Sequence, residues 1–259
     1  TWPSWPRCRW RLLVGVTPGT LYTADITTAF LQGAQEKYER SGKLYMRAPT
    51  DPLVTASGSF QEAELYEVVG NVYGLANAPF LFSKVVRSKM KRLGFVEHSL
   101  DCMLFLLYEN GELIAIACFH VDDMLLACAP SYDLNGLKDA FTWGPWSSLR
   151  QCSLKFTGHQ FRLRDNDIIV HQQEFTLSTP TKRLRVGPAT DRLLQSAEEY
   201  SEYRSCGGSL QWLSGHSRPD CSAATSLSQR GDPKLSDLAS MYETIEHARA
   251  SSADGFCIS

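Results

Sequence analysis

No C-x-x-C pair and no zinc-finger spacing occurs among the eight cysteines, at positions 8, 102, 118, 128, 152, 206, 221 and 257. That excludes a metal-ribbon module. A disulfide framework does not suit a chain of 259 residues, so the reading is free thiols in a reducing compartment. No apolar run approaches the length needed to cross a bilayer. Leu12-Leu13-Val14 is too short for a signal-peptide core. The six histidines form no H-E-x-x-H, and the chain lacks a G-x-S-x-G elbow, a Walker loop and a G-x-G-x-x-G turn. No internal repeat is visible. Charge of one sign is also missing: 26 basic against 28 acidic residues leave a formal net of −2, so nothing global announces a polyanionic partner.

What is present is an ordinary globular composition, 43% hydrophobic and 21% charged. One stretch stands out. Leu113–Phe119 and Met124–Ala129 are short apolar runs flanking His120-Val121-Asp122-Asp123. Runs this short fit buried strands better than helices. Joined as a hairpin, they place Val121-Asp122 or Asp122-Asp123 at the tip. Two adjacent carboxylates at the end of a rigid element repel each other and resist desolvation, so they call for a cation.

Along the chain, residues 1–11 read as a loop or severed edge, and Leu12–Val16 as a helix end stopped by Pro18-Gly19. The chain starts at Thr1 rather than Met, which suggests a piece of a longer polypeptide. Leu21–Ile26 reads as a strand carrying Asp25 at its C-terminal end. Taken singly, Asp25 is a loop acid or a helix N-cap. Gly33 closes that unit, and Leu44–Met46 and Leu65–Val69 are short strands around a loop at 50–60.

Asn77 and Pro79 open a helix that runs to about Leu93 and stops at Gly94. Phe82, Val86, Met90 and Leu93 form its apolar face. Lys84, Arg87, Lys89, Lys91 and Arg92 give it five positive charges and no acid. It is either a solvated helix face or a surface for a polyanion. Asn110-Gly111 marks a hairpin between Met103–Leu107 and the first apolar run. Asp133–Phe141 reads as helical. Leu154–Arg164 and Asp167–His171 form a second hairpin around Asp165-Asn166. Tyr203–Trp212 and Ala223–Gln229 are helices, and 234–250 is a polar helix. Mixed strands and helices followed by helices imply an α+β fold with a helical C-terminal region.

The chemistry these parts can support is narrow. Asp25 at one strand end and Asp122-Asp123 in a hairpin make a hard-oxygen site suited to Mg²⁺, which completes its shell with water and substrate phosphates. Two such ions about 3.5–4 Å apart can activate a hydroxyl and stabilise a leaving pyrophosphate.

Five segments in order then carry a resemblance. Asp25-Ile-Thr-Thr-Ala-Phe-Leu-Gln-Gly33, Leu44-Tyr-Met46, Tyr73-Gly-Leu-Ala-Asn-Ala-Pro79, Asp101-Cys-Met-Leu-Phe105 and Val121-Asp-Asp123 resemble the reverse transcriptase of copia-type LTR retrotransposons. Weaker likenesses follow in Phe156-Thr-Gly158, Gln172-Gln173, Tyr203–Leu210 and Arg218-Pro-Asp220. The resemblance implies an RNA-directed DNA polymerase. Its fold would be an α+β palm, an antiparallel sheet backed by helices, over 20–175. A helical thumb- or connection-like region would follow at 176–259, and a truncated fingers segment would precede it at 1–19. It further implies Asp25, Asp122 and Asp123 as catalytic metal ligands for two Mg²⁺ ions (Mn²⁺ as a substitute), with the Ile26 carbonyl nearby. Phe30 would exclude a ribose 2′-hydroxyl, and Tyr73 and Gly74 would lie beside the incoming nucleotide. Phe156-Thr157-Gly158 would be primer-grip-like, and Lys84, Arg87 and Lys91 would lie near the nucleic acid. The implied partners are an RNA or DNA template with primer, and dNTPs. RNase H and integrase regions lie outside this chain, no membrane is involved, and the setting is intracellular. Three residues depart from the family's pattern: His120 stands in place of Tyr, and Ala76-Asn77 in place of Lys-Gln. A catalytically silent remnant that binds nucleic acid or serves as an interaction module is the reading from another class, and an unrelated metal-dependent phosphotransferase is a third.

Overall fold

The computed structural model describes residues 21–32, 43–48, 50–52, 56, 58, 65–68, 70–165 and 167–258. The expectations for 1–19, for Gly33 and for most of the 50–60 loop lie outside the described residues. The chain divides into two compact units, 24–146 and a second made of 1–23 with 147–259. The fold is α+β with antiparallel sheets, as expected.

In the first unit, β4 (Val96–His98), β5 (Asp101–Glu109), β6 (Glu112–His120) and β7 (Asp123–Cys128) are consecutive neighbours. β1 (Leu21–Asp25), whose last two residues belong to this unit, follows β7 in the sheet order. The β5–β6 hairpin turns at Asn110-Gly111, both at positive φ, and pairs Glu109 with Glu112. Two-residue hairpin loops of that twist favour Asn-Gly for this reason. From Ala115 through Phe119 and from Met124 through Cys128 every residue is buried, none more than 7% exposed. A strand buried on both faces needs no polar alternation, which explains the continuous apolar runs.

Helix α1 (Ala78–Arg92) buries Leu81, Phe82, Val86 and Met90. Complete burial of each such side chain is worth about 1.5–3 kcal/mol. Leu93 is half-buried, and Gly94 at φ +87 ends the helix in a conformation a β-carbon resists. Asn77 occupies the N-cap position, as expected, though its side chain makes no cap hydrogen bond, and Pro79 stands in the first turn. Helix α2 (Asn135–Ala140) is shorter than the sequence implied. β2 (Tyr45–Arg47) and β3 (Leu65–Glu67) pair separately as a two-stranded ribbon.

In the second unit, Tyr22 and Thr23 of β1 pair with Ser148 and Ser147 of β8 (Ser147–Ser148). β9 (Leu154–Phe156), β10 (His159–Arg164), β11 (Asp167–His171) and β12 (Phe256–Ile258) form an antiparallel sheet in the order β12-β11-β10-β9. The single strand expected over Leu154–Arg164 is therefore two strands. Thr157 at φ 48 and Gly158 at φ +79 fold it back on itself.

A short helix α3 (Gln173–Ser178) leads toward α4 (Ala197–His216), which opens on a capping box. There Glu199 N–H donates to Ser196 Oγ at 3.1 Å, and Ser196 N–H donates to Glu199 at 3.3 Å. After α5 (Ser222–Ser228) comes α6 (Leu235–Ala250). The expected polar helix has an apolar inner face. Leu238, Met241, Tyr242 and Ile245 pack with Cys206 and Leu210 of α4. All seven described cysteines are free.

Candidate functional site

Asp122 sits in a two-residue turn. His120 pairs with Asp123 across the hairpin, so Val121-Asp122 is the tip and Asp123 opens β7. Val121 lies at φ 58, a left-handed conformation that costs a β-branched residue about 1–3 kcal/mol. The apolar strands on either side hold the tip in this strained shape.

Asp25 ends β1, and the next residue fastens that end to the hairpin tip. Ile26 N–H donates to Asp122 O at 2.9 Å, while Gly144 N–H donates to Asp25 O at 2.7 Å. Ile26 is itself 1% exposed, which anchors the strand end in the core. The acids feel each other. Burial first, then the Asp122 charge, raises the Asp25 carboxyl above its ordinary value. Asp123 is raised by burial and by the charges of Asp122 and Asp25, against a smaller opposing pull from His120. The structure thus brings Asp25, Asp122 and Asp123 into one electrostatic group.

Among the described residues no three His, Cys, Asp or Glu side chains form a ready-made metal cage. The donor chemistry nonetheless fits a hard divalent cation. These are carboxylate oxygens whose mutual repulsion a cation would relieve, and Mg²⁺ normally takes only part of its shell from protein.

Beyond Asp25 the chain turns sharply. Thr27 N–H donates to Thr142 O at 3.0 Å. Gln32 clamps the same residue twice, accepting from Thr142 N–H at 2.8 Å and donating to Thr142 O at 2.8 Å. Between them, Ala29–Gln32 make a 3₁₀ turn carrying Phe30. The Phe30 ring tilts against Tyr73 at 4.7 Å between centroids and meets Phe82 edge-on at 5.9 Å. Tyr73 is 55% exposed, and Gly74 beside it takes φ +90. Asn71, buried nearby in sequence, steadies this loop by donating from Nδ2 to Ala78 O at 3.0 Å. Phe30, Tyr73 and the start of α1 are thus one packed group, a link the sequence did not reveal.

Phe156, Thr157 and Gly158 lie in the second unit, at the turn between β9 and β10. Within that unit His159 packs against Trp212 and His216 of α4, with ring centroids 5.8 and 5.2 Å away. Burial and the neighbouring His216 lower the His159 pKa. Arg218, nearly buried, forks onto Asp220 at 2.9 and 2.7 Å and donates to Ala248 O at 2.8 Å. The Arg218-Pro-Asp220 motif therefore ties the end of α4 to the end of α6. Sequence reasoning missed the Gln32–Thr142 clamp and the His159–Trp212 contact. Neither has a local signal, because the partners are more than fifty residues apart.

Lys84, Arg87 and Lys91 occur together on the exposed face of α1, lining a cavity with Ser88, Phe95, Val96, Glu97 and Phe105. No carboxylate of the triad lines it. Lys89 points elsewhere, donating to Ala140 O at 2.7 Å.

A carboxylate pair in a strained hairpin thus lies beside a strand end that carries a third acid, the two held together by the Ile26–Asp122 main-chain bond. The family model for reverse transcriptase (RNA-dependent DNA polymerase) matches residues 12–178, and the chain belongs to that family. Its setting is a retrotransposon. A Saccharomyces cerevisiae protein named for transposon Ty5-1 is 24% identical to it over 240 residues, covering 86% of this chain and 74% of that protein. The family's chemistry uses divalent metal ions, a nucleic-acid template and primer, and deoxynucleotides. Among the described residues no helix is long and apolar enough to cross a membrane.

Proposed function

We propose that this chain is the RNA-directed DNA polymerase region of a copia-type element, adding deoxynucleotides to a primer 3′-hydroxyl. The observation that carries the reading is the Ile26–Asp122 hydrogen bond of 2.9 Å, which joins the Asp25 strand end to the Asp122-Asp123 hairpin. Residues 20–175 would be the palm and 176–259 a thumb- or connection-like region.

Asp25, Asp122 and Asp123 would hold Mg²⁺, two ions in all, with Mn²⁺ able to replace it. When bound, these ions promote deprotonation of the hydroxyl and neutralise charge on the leaving pyrophosphate. The protein's own part is positioning. Buried β6 and β7 fix the height of Asp122 and Asp123, and the Ile26 and Gly144 main-chain bonds fix Asp25. His120, paired with Asp123 across the hairpin, favours that acid's ionised form.

Phe30 would exclude a ribose 2′-hydroxyl by bulk, braced by the tilted Tyr73 ring and by an edge-on contact with Phe82. Gly74 would let the backbone approach the incoming base closely. Phe156-Thr157-Gly158 would press on the primer end. The direct test is primer extension on poly(rA)·oligo(dT) with Mg²⁺ or Mn²⁺. Incorporation of dTTP that Asp122→Asn abolishes is expected. No incorporation, or incorporation that survives the substitution, overturns the reading.

A further inference from the structure

We infer that the exposed face of α1 and the cavity beside β4 form a second nucleic-acid site, one that takes single-stranded nucleic acid outside the carboxylate centre. The choice of ligand rests on the polymerase reading above. The cavity has a volume of about 570 Å³ and lies wholly within residues 84–105.

Three cations, Lys84, Arg87 and Lys91, line it against one carboxylate, Glu97. In a chain of net charge −2 that is a local excess of the opposite sign. Helical rise puts Lys84 and Lys91 about 10 Å apart along one face, so they address successive parts of an extended strand rather than one small anion. Glu97 engages Arg87 at 2.9 Å through both Nε and Nη2. No acid is paired with Lys84 or Lys91 among the described residues. Lys84 instead lies 4.6 Å over the ring of Phe80, which is 59% exposed.

Cations that track phosphates beside an exposed aromatic on which a base can stack are the two parts of a sequence-tolerant single-strand site. An acidic polypeptide would use the lysines but leave Phe80 idle. A duplex would offer phosphates and no free base face.

The experiment is fluorescence anisotropy of the full chain with 5′-fluorescein-labelled rU20 across a salt series. Each phosphate contact to a single strand contributes a slope of about 0.7 in log K against log salt. Lys84→Gln with Lys91→Gln should therefore flatten the slope by roughly 1.4 and weaken binding roughly 10–30-fold near 0.1 M salt. Phe80→Ala should weaken binding about 5-fold or more with the slope unchanged. Glu97→Gln, by removing the opposing carboxylate, should tighten binding. Lys182→Gln, in the other unit and paired with Glu202, should change nothing. Unchanged melting curves show that the variants are folded.

Unaltered affinity in the double lysine variant overturns the site, as does equal competition by poly-glutamate or by duplex. If primer extension fails while the lysine and Phe80 effects hold, the site stands and the polymerase reading falls. If extension succeeds while the variants bind normally, the reverse is true.

Discussion

Replacing Phe30 by Ala separates packing from chemistry in one experiment. The ring makes two aromatic contacts, with Tyr73 at 4.7 Å and with Phe82 at 5.9 Å. Each such pair is worth about 0.5–1.5 kcal/mol beyond the area it buries, and removing a half-buried ring forfeits about 1 kcal/mol more. The expected loss is about 2–4 kcal/mol, a fall of roughly 4–16 °C in melting temperature for a protein of this size. Tyr73→Ala combined with Phe30→Ala should cost less than the two separately, by about 0.5–1.5 kcal/mol, because the pair is broken only once. Phe30→Tyr should keep most of the stability. If the ring also occupies the space of a ribose 2′-hydroxyl, preference for dTTP over UTP in single-nucleotide extension should fall roughly 10–200-fold in the Ala variant and stay high in the Tyr variant. A stability loss of the expected size with an unchanged dTTP/UTP ratio refutes the gate and leaves Phe30 a core aromatic. A changed ratio without coupling to Tyr73 refutes the bracing.

Asp123→Asn should abolish the proposed primer extension yet raise the melting temperature at neutral pH when no divalent cation is present. The Asp123 pKa is raised in the fold by burial and by Asp122 and Asp25, so the acid's contribution is fully favourable below pH 3.8 and is lost as pH rises through the folded value. The gap between variant and parent should thus widen from acid to neutral pH and shrink on adding Mg²⁺, as differential melts will show. His159 behaves oppositely. Burial and His216 lower its pKa, so its contribution is present above about pH 6.5 and lost as pH falls through the folded value. His159→Phe should flatten the acid side of the stability profile. Gly255→Ala would set a β-carbon 2.0 Å from Val170 O, on backbone that cannot swing aside. It should detach β12 at a cost of about 1–4 kcal/mol, read as faster amide exchange at Val170 and Phe256.

How much of this was legible beforehand varies by element. The two apolar runs specified β6 and β7 because their residues are buried on both faces, and Asn110-Gly111 specified its turn because both residues must take positive φ. The α1 apolar face followed from helical spacing alone. Leu154–Arg164 misled, since a tight turn at Thr157-Gly158 leaves strand-forming residues on either side and local pattern does not count strands. The 234–250 helix looked polar because its buried stripe is diluted by seven charged, serine or threonine side chains from Ser236 to Arg249. Three-residue β12 was invisible, since a strand that short has no period.

The sequence by itself determined residue types and their order. It supplied three acids, an aromatic five positions after the first, a helix with five cations, and the motifs that resemble a reverse transcriptase. Those follow from local propensity and spacing. Only the tertiary structure decided that the strand end carrying Asp25, nearly a hundred residues from Asp122, is joined to the hairpin tip through the 2.9 Å main-chain bond from Ile26 to Asp122. It likewise decided that Phe30 rests on Tyr73, and that Glu97 holds Arg87 while leaving Lys84 and Lys91 without an acid among the described residues. Those are contacts between distant segments, fixed by which faces the core must bury.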